Sequence, residues 1–376
     1  MTAARSDSTA DDTTLDRLVA SSEIIICTGS GGVGKTTTAA VLAMRAAAQG
    51  RRAVVVTIDP ARRLADALGL EGIGNTPSRI EGAWDGELWA VMLDTKSTFD
   101  ELVTRYSEEP GQAARILDNR FYKNISGALS GTQEYMAMEK LYELHGSSDF
   151  DLVVVDTPPT RNALDFLDAP RRLTRFLDHR LYRMLMAPTR GVMKAVNVAA
   201  QAFIRTVSKV VGAEVLDDAV AFFQAFEGME QGFRARADKV LELLTDKRTS
   251  FVLVASPRRD TVEEAHFFAE KLAEADIPVE ALIVNRMHPR FTDTLPEAAR
   301  ERARTLDGTD LGGLYDNLAD FAMVAGREED HLVGLAEEIA PAPVLRVPFL
   351  RTDVHDLDGL AEISSHLFPP LPKEPA

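Results

Sequence analysis

Residues Gly29 to Thr36, GSGGVGKT, satisfy the spacing GxxxxGKT, whose chemistry is phosphate binding. Glycines let backbone amides close around the β-phosphate of a nucleotide, the start of the following helix favours the anion, and Lys35 is spaced to reach the β and γ oxygens. Thr36 would place its hydroxyl on Mg2+. The nucleotide-binding set read from this stretch is Gly29, Ser30, Gly31, Gly32, Val33, Gly34, Lys35, Thr36 and Thr37. A plain glycine turn between strand and helix is the competing reading, and the registered Lys and Thr speak against it.

Two acids extend the set toward hydrolysis. Asp156 ends the apolar run LVVVD, so it emerges at the carboxyl edge of a strand, where it can hold a metal-bound water. Asp59, in VTIDPARRLADALG, ends another strand, and Pro60 then bars regular continuation. A carboxylate there could orient the water that attacks the γ-phosphate, with the following residues shifting between nucleotide states. Asp59 and Lys35 are thus the catalytic candidates, Thr36 and Asp156 the metal candidates. A capping or turn aspartate is the alternative at each acid. Base selection rests on NRMH at 285–288, which lacks the acid of a guanine-reading NKxD or TKxD element. ATP is favoured over GTP, with Asn285, Pro348 and Phe349 as candidate adenine-side contacts. Asn285 reads equally as a strand-ending turn residue.

These residues need strands that end together. EIIICT at 23–28, AVVVTID at 53–59, ELWAVMLD at 87–94, DLVVVDTP at 151–158, SFVLVASP at 250–257 and VEALIVNRM at 279–287 are short apolar runs, mostly followed by helical periodicity. Such alternation predicts an α/β fold of the P-loop NTPase type, a mostly parallel doubly wound sheet with ligands beyond the carboxyl ends of its strands. The helix after the glycine loop stops at Gly50. From 159 to 249 no strand pattern occurs, which predicts an α-helical insertion subdomain, with Phe222, Phe226, Met229 and Phe233 on one helical face as core or client groove. A second helical stretch is expected at 296–339, then a strand near LRVPFL and a helix from about 357 to 367. Residues 22–368 read as a single domain, between a disordered tail at 1–21 and a Pro-rich tail at 369–376.

The 376-residue chain has 45% hydrophobic residues and no run of 18 apolar ones, so a cytoplasmic protein is expected. A single cysteine, Cys27, rules out an intrachain disulfide and a cysteine-based zinc cluster. The net charge of −16 argues against nucleic acid as a partner. Residues 171–209 depart from it, with nine Arg or Lys against Asp178 alone. They form either a basic amphipathic surface for a protein client or the inner face of a membrane, or helices whose charges neutralise acids elsewhere.

Together these residues resemble the arsenical pump-driving ATPase family, which includes the ATPases for guided entry of tail-anchored proteins and is related to the MinD and ParA ATPases. GGVGKTT, DPARRLADALG, DTPPTRNALDFL, IVNR and VPFLRTDVHDLDGL carry the resemblance in order over roughly 22–368. It implies an ATP- and Mg2+-dependent dimer whose helical insertion handles a client. It also implies a first switch at Asp59, Pro60, Arg62 and Arg63, and a second at Asp156, Thr157, Pro158 and Arg161. The family usually has lysine at position 30, reaching the partner's phosphates, where this chain has Ser30. Its second switch typically reads APTGHT, here DTPPTRN, and its zinc-clamping and arsenite-sensing cysteines are absent.

A cation delivered across a partner is worth about 10³ to 10⁵ in rate in related chemistry, so the loss at position 30 matters. Arg62, Arg63 or Arg161 could supply the charge, hydrolysis could be slow, or a lysine-bearing paralogue could complete a heterodimer in place of a homodimer. An ATP-gated adaptor with negligible turnover and a small-molecule P-loop kinase are the alternatives to an ATPase switch.

Overall fold

The computed structural model describes residues 8–58, 63–70, 72–125, 132–158 and 213–369, with isolated positions 169, 171, 172, 174, 175 and 178. The chain divides into two compact units, one of Met1–Met92, Leu144–Ala163 and Lys247–Ala376, the other of Leu93–Glu143 and Leu164–Asp246.

The first unit is built on an eight-stranded sheet. Its strands are β1 (Ile24–Thr28), β2 (Arg52–Thr57), β3 (Ser78–Ile80), β4 (Glu87–Met92), β5 (Leu152–Asp156), β6 (Thr249–Ala255), β7 (Val279–Met287) and β8 (Val344–Pro348), in spatial order β3-β4-β2-β5-β1-β6-β7-β8. All neighbours pair in parallel except β3 with β4. Every residue of β1 and β5 is buried, as a strand covered on both faces requires, and this is why their sequences are apolar throughout rather than alternating. The doubly wound expectation is met, since Val252 and Val254 of β6 face one core while Leu253 and Ala255 face another. β3 has no counterpart among the expected strands; three residues at an antiparallel edge are too few to show a period.

Helix α1 (Ser8–Ser21) corrects, for residues 8–21, the expectation of a disordered tail at 1–21. Leu15, Leu18 and Val19, spaced i, i+3, i+4, are buried in the core, an apolar stripe that the surrounding Asp, Ser and Thr residues mask in the composition. Helix α2 (Lys35–Ala48) follows β1, and its Ala39, Ala40, Ala43, Ala46 and Ala47 have no exposure. Methyl-sized side chains let this helix lie close to the sheet. Arg45 of α2 pairs with Asp16 at 2.7 Å and stands over the Phe368 ring at 5.0 Å, tying both chain ends to the site-bearing helix.

Helix α3 (Arg63–Ala67) follows β2. The second unit holds α4 (Thr95–Tyr106), α5 (Gln112–Leu117), α6 (Arg120–Ile125) and most of α7 (Thr132–Gly146), together with α8 (Ala213–Ala225) and α9 (Glu230–Leu244). Helices therefore come from two stretches of chain, 93–143 as well as the region expected as an insertion. Phe222, Met229 and Phe233 are buried, but the stripe turns a corner, because α8 ends at Ala225 and α9 begins at Glu230. Phe222 stacks on Tyr122 of α6, with centroids 5.9 Å apart, so these rings form core of this unit rather than an open groove. Gln112 Nε2 donates to the carbonyls of Ala225 and Glu227 at 2.8 and 3.0 Å, which satisfies the turn between the helices.

The remaining helices of the first unit are α10 (Arg259–Glu274), α11 (Pro296–Thr305), α12 (Asp310–Glu338) and α13 (Leu357–Leu367). The stretch expected at 296–339 is thus two helices separated around Gly308. Residues 370–376 of the Pro-rich tail expected at 369–376, and most of the basic segment 171–209, lie outside the described residues.

Candidate functional site

The glycine loop lies where β1 ends and α2 begins, against the ends of β6 and β7. Gly29 has φ 148°, and a Cβ there would come within 2.0 Å of the Val254 carbonyl oxygen. Gly34 has φ 100°, and a Cβ would stand 2.2 Å from Asn285 Nδ2. Both positions require a residue without a side chain, for conformation and for space.

Lys35 is only 6% exposed, and its Nζ donates to the Ser30 carbonyl at 2.7 Å. A buried ammonium needs such partners, and a nucleotide phosphate is a stronger acceptor of the same kind. Asp156, 1% exposed, ends β5 between β1 and β2. Its Oδ2 accepts from Thr36 Oγ1 at 2.7 Å and from Thr57 Oγ1 at 2.9 Å. Thr57 reaches it because parallel pairing sets the two residues side by side. Next to it, Thr157 Oγ1 donates to the Cys27 carbonyl at 2.8 Å. The Cys27 thiol is pushed far up by burial, so it stays neutral and inert.

A cleft of about 420 Å³ opens over these groups and is lined by Gly32, Gly34, Lys35, Thr36 and Thr37 of the loop and by Asp156 and Thr157 of the second strand end. The sequence-derived phosphate and metal residues therefore meet in one place. A hydroxyl and a carboxylate, both hard oxygen donors, fit Mg2+ rather than a softer metal. Val33 is buried beneath the loop, and Gly31 is exposed. Ser30 is 4% exposed, and its hydroxyl is buried with no hydrogen-bond partner among the described residues.

Asn285 braces the loop. Its Nδ2 donates to the Val33 carbonyl at 2.9 Å and its Oδ1 accepts from the Arg286 backbone N–H at 2.9 Å. Pro348 pairs with Met287, and Phe349, 60% exposed, stacks on His288 with centroids 6.2 Å apart; neither residue lines the cleft. Pro158 is half-buried beyond β5, and Arg63 opens α3. Asp59, Pro60, Arg62 and Arg161 lie outside the described residues.

The cleft also contains residues that the sequence reading passed over. Asp66 and Ala67 arrive from α3, Arg286 from the end of β7, and Val354 and His355 from the loop before α13. Arg286 and His355 sit inside motifs already singled out, IVNR and VPFLRTDVHDLDGL, but nothing in their spacing says that they turn toward the glycine loop.

Known proteins resemble the chain over most of its length. The profile of the anion-transporting ATPase family matches residues 22–368. An ATPase GET3 of Malassezia globosa is 26% identical over 263 residues, covering 70% of this chain and 72% of that protein. An ATPase ASNA1 homolog of Dictyostelium discoideum is 25% identical, over 73% of this chain and 75% of its own. An uncharacterized protein of Streptomyces coelicolor is 28% identical, over 78% and 70% respectively. With that profile matching residues 22–368, nearly the whole chain, the chain belongs to the anion-transporting ATPase family.

Proposed function

We propose that the chain is an ATP-binding and ATP-hydrolysing switch, in which nucleotide-driven dimer closure is coupled to a helical surface for a client or partner. The observation that supports this most is the placement of Lys35, Thr36 and Asp156 around one cleft, with Thr57 bonded to Asp156 from the neighbouring strand. Relatives named as ATPases support hydrolysis as the reaction.

Bound ATP with Mg2+ supplies the electrophilic phosphate. Lys35 exchanges the Ser30 carbonyl for the β and γ oxygens, and the loop amides hold the β-phosphate. Thr36 would offer its hydroxyl to the cation, and Asp156, which now accepts that hydroxyl, would be the carboxylate on the metal side. Thr36 and Asp156 are the residues of this chain that would hold the cation, beside oxygens of the bound phosphates. Giving up the Thr36 bond changes what Asp156 holds, and Asp156 is tied through Thr57 to the end of β2, where Asp59 follows. That link is a route from nucleotide state to the two switch segments, with Asp59 orienting the attacking water. The basic segment 171–209 is the proposed client surface, for a protein or for a membrane face from the cytoplasmic side.

Ser30 favours a second reading. A buried hydroxyl offers a partner no cation, so this chain serves better as an ATP-gated subunit beside a lysine-bearing paralogue than as a symmetric homodimer. Phosphate release from ATP and Mg2+ by the purified chain, with Lys35→Ala beside it, tests the main reading. Release lost in the variant supports it. Tight ATP binding without release selects the adaptor reading, turnover only with an added acceptor selects a kinase, and absence of ATP binding refutes all three.

A further inference from the structure

The site has a charge problem that its own geometry addresses. With serine at position 30, Lys35 is the only cation within the glycine loop itself. Arg286 comes to that loop from the end of β7. Its Nη1 donates to the Gly32 carbonyl at 3.1 Å, and it lines the same cleft as Lys35 and Thr36. The two cations rest in the same way, Lys35 on the Ser30 carbonyl at 2.7 Å and Arg286 on the Gly32 carbonyl. A guanidinium carries five donors in a fixed fork, so the contact with Gly32 leaves donors over for a phosphate oxygen.

The backbone is built to put Arg286 there. The register of β7 with β8 shifts between Val284 and Met287, and Arg286 has φ 64°, a left-handed conformation that side-chain-bearing residues rarely adopt. It is held by Asn285, whose Oδ1 takes the Arg286 N–H while its Nδ2 holds Val33 of the loop. Strain of this kind persists where the surroundings over-determine it, and bulges beside active sites re-aim side chains.

We infer that Arg286 is a second phosphate-binding cation of this site, supplied by the same chain, and that it stands in for the charge missing at position 30. The inference rests on the ATP-binding reading above. It differs from a purely structural role, in which Arg286 only ties β7 to the loop through Gly32.

The test is equilibrium binding of a fluorescent ATP analogue to the full chain, in wild type, Lys35→Ala, Arg286→Gln, Arg286→Lys and Ser30→Lys/Arg286→Gln, at low and high salt. Charge-assisted bonds of this type predict about a 10- to 100-fold weaker affinity for Arg286→Gln and a shallower salt dependence. Arg286→Lys keeps most of the affinity, and in a homodimer Ser30→Lys restores from across the interface part of what Arg286→Gln loses. Arg286→Gly, which relieves the left-handed strain, melts no lower than wild type yet binds the analogue as weakly as Arg286→Gln. Wild-type binding that needs Lys35 but is indifferent to Arg286→Gln overturns the inference and leaves the ATP reading intact. Equal losses in Arg286→Gln and Arg286→Lys with an unchanged salt slope assign Arg286 a structural role and also overturn it. No binding by wild type refutes the ATP reading itself.

Discussion

Gly34 and Asn285 form a pair whose coupling has a magnitude set by the structure. An alanine Cβ at position 34 would stand 2.2 Å from Asn285 Nδ2, on a backbone with φ 100°. The left-handed conformation costs an alanine about 1–2 kcal/mol. The Asn285 amide must also swing away and give up its bond to the Val33 carbonyl, roughly another 1 kcal/mol. Gly34→Ala alone therefore destabilises the first unit by about 2–3 kcal/mol. Asn285→Ala alone forfeits the same bond, at about 1 kcal/mol or somewhat more because a carbonyl is left unpaired. The double variant loses that bond once and has no amide to displace, so its cost falls below the sum of the singles by about 1 kcal/mol, outside the ~0.3–0.5 expected of independent sites. Urea titration of the four proteins at neutral pH, followed by tryptophan fluorescence and circular dichroism, measures the coupling. Gly29→Ala serves as the contrast, because its obstacle at 2.0 Å is the Val254 carbonyl of the β6 backbone, which no side-chain truncation removes. Additive losses for Gly34→Ala and Asn285→Ala, or rescue of Gly29→Ala by Asn285→Ala, would refute the packing argument.

Two further outcomes follow from elements distant from the cleft. Leu15→Ala lowers stability by about 2–5 kcal/mol, the range for a fully buried leucine, if α1 is part of the core as described; a loss under about 0.5 kcal/mol, the surface range, would return 8–21 to tail status. Asp94 caps α4 by accepting the Ser97 N–H at 2.6 Å, and that bond, first among the causes, holds its carboxyl below the usual range. The folded-state value is lowered, so the cap's contribution is full above about pH 4 and fades as pH falls through the folded value. Asp94→Ala should cost about 1 kcal/mol at pH 7 and progressively less in the acid range, which denaturant midpoints at several pH values would show.

The amino-acid sequence by itself determined the sheet and picked out residues that meet in the cleft. Seven strands were legible because parallel strands buried on both faces, such as IIICT and LVVVD, must be apolar throughout, and this leaves a signal even without alternation. Lys35, Thr36 and Asp156, which line that cleft, were legible because the phosphate chemistry proposed for it demands fixed residue types at fixed offsets from a strand end. The N-terminal helix was not, since three buried side chains among many polar ones do not change a composition. Nor were the helices between 93 and 143, whose core partners lie about 100 residues further along the chain, as with Gln112 and Ala225. Only the tertiary structure decided that Thr57 shares Asp156 with Thr36, that Asn285 supports the loop from beneath, and that Arg286 reaches Gly32. Those contacts depend on strand order and on one register shift at the end of β7, quantities set by how distant segments pair and invisible to local spacing.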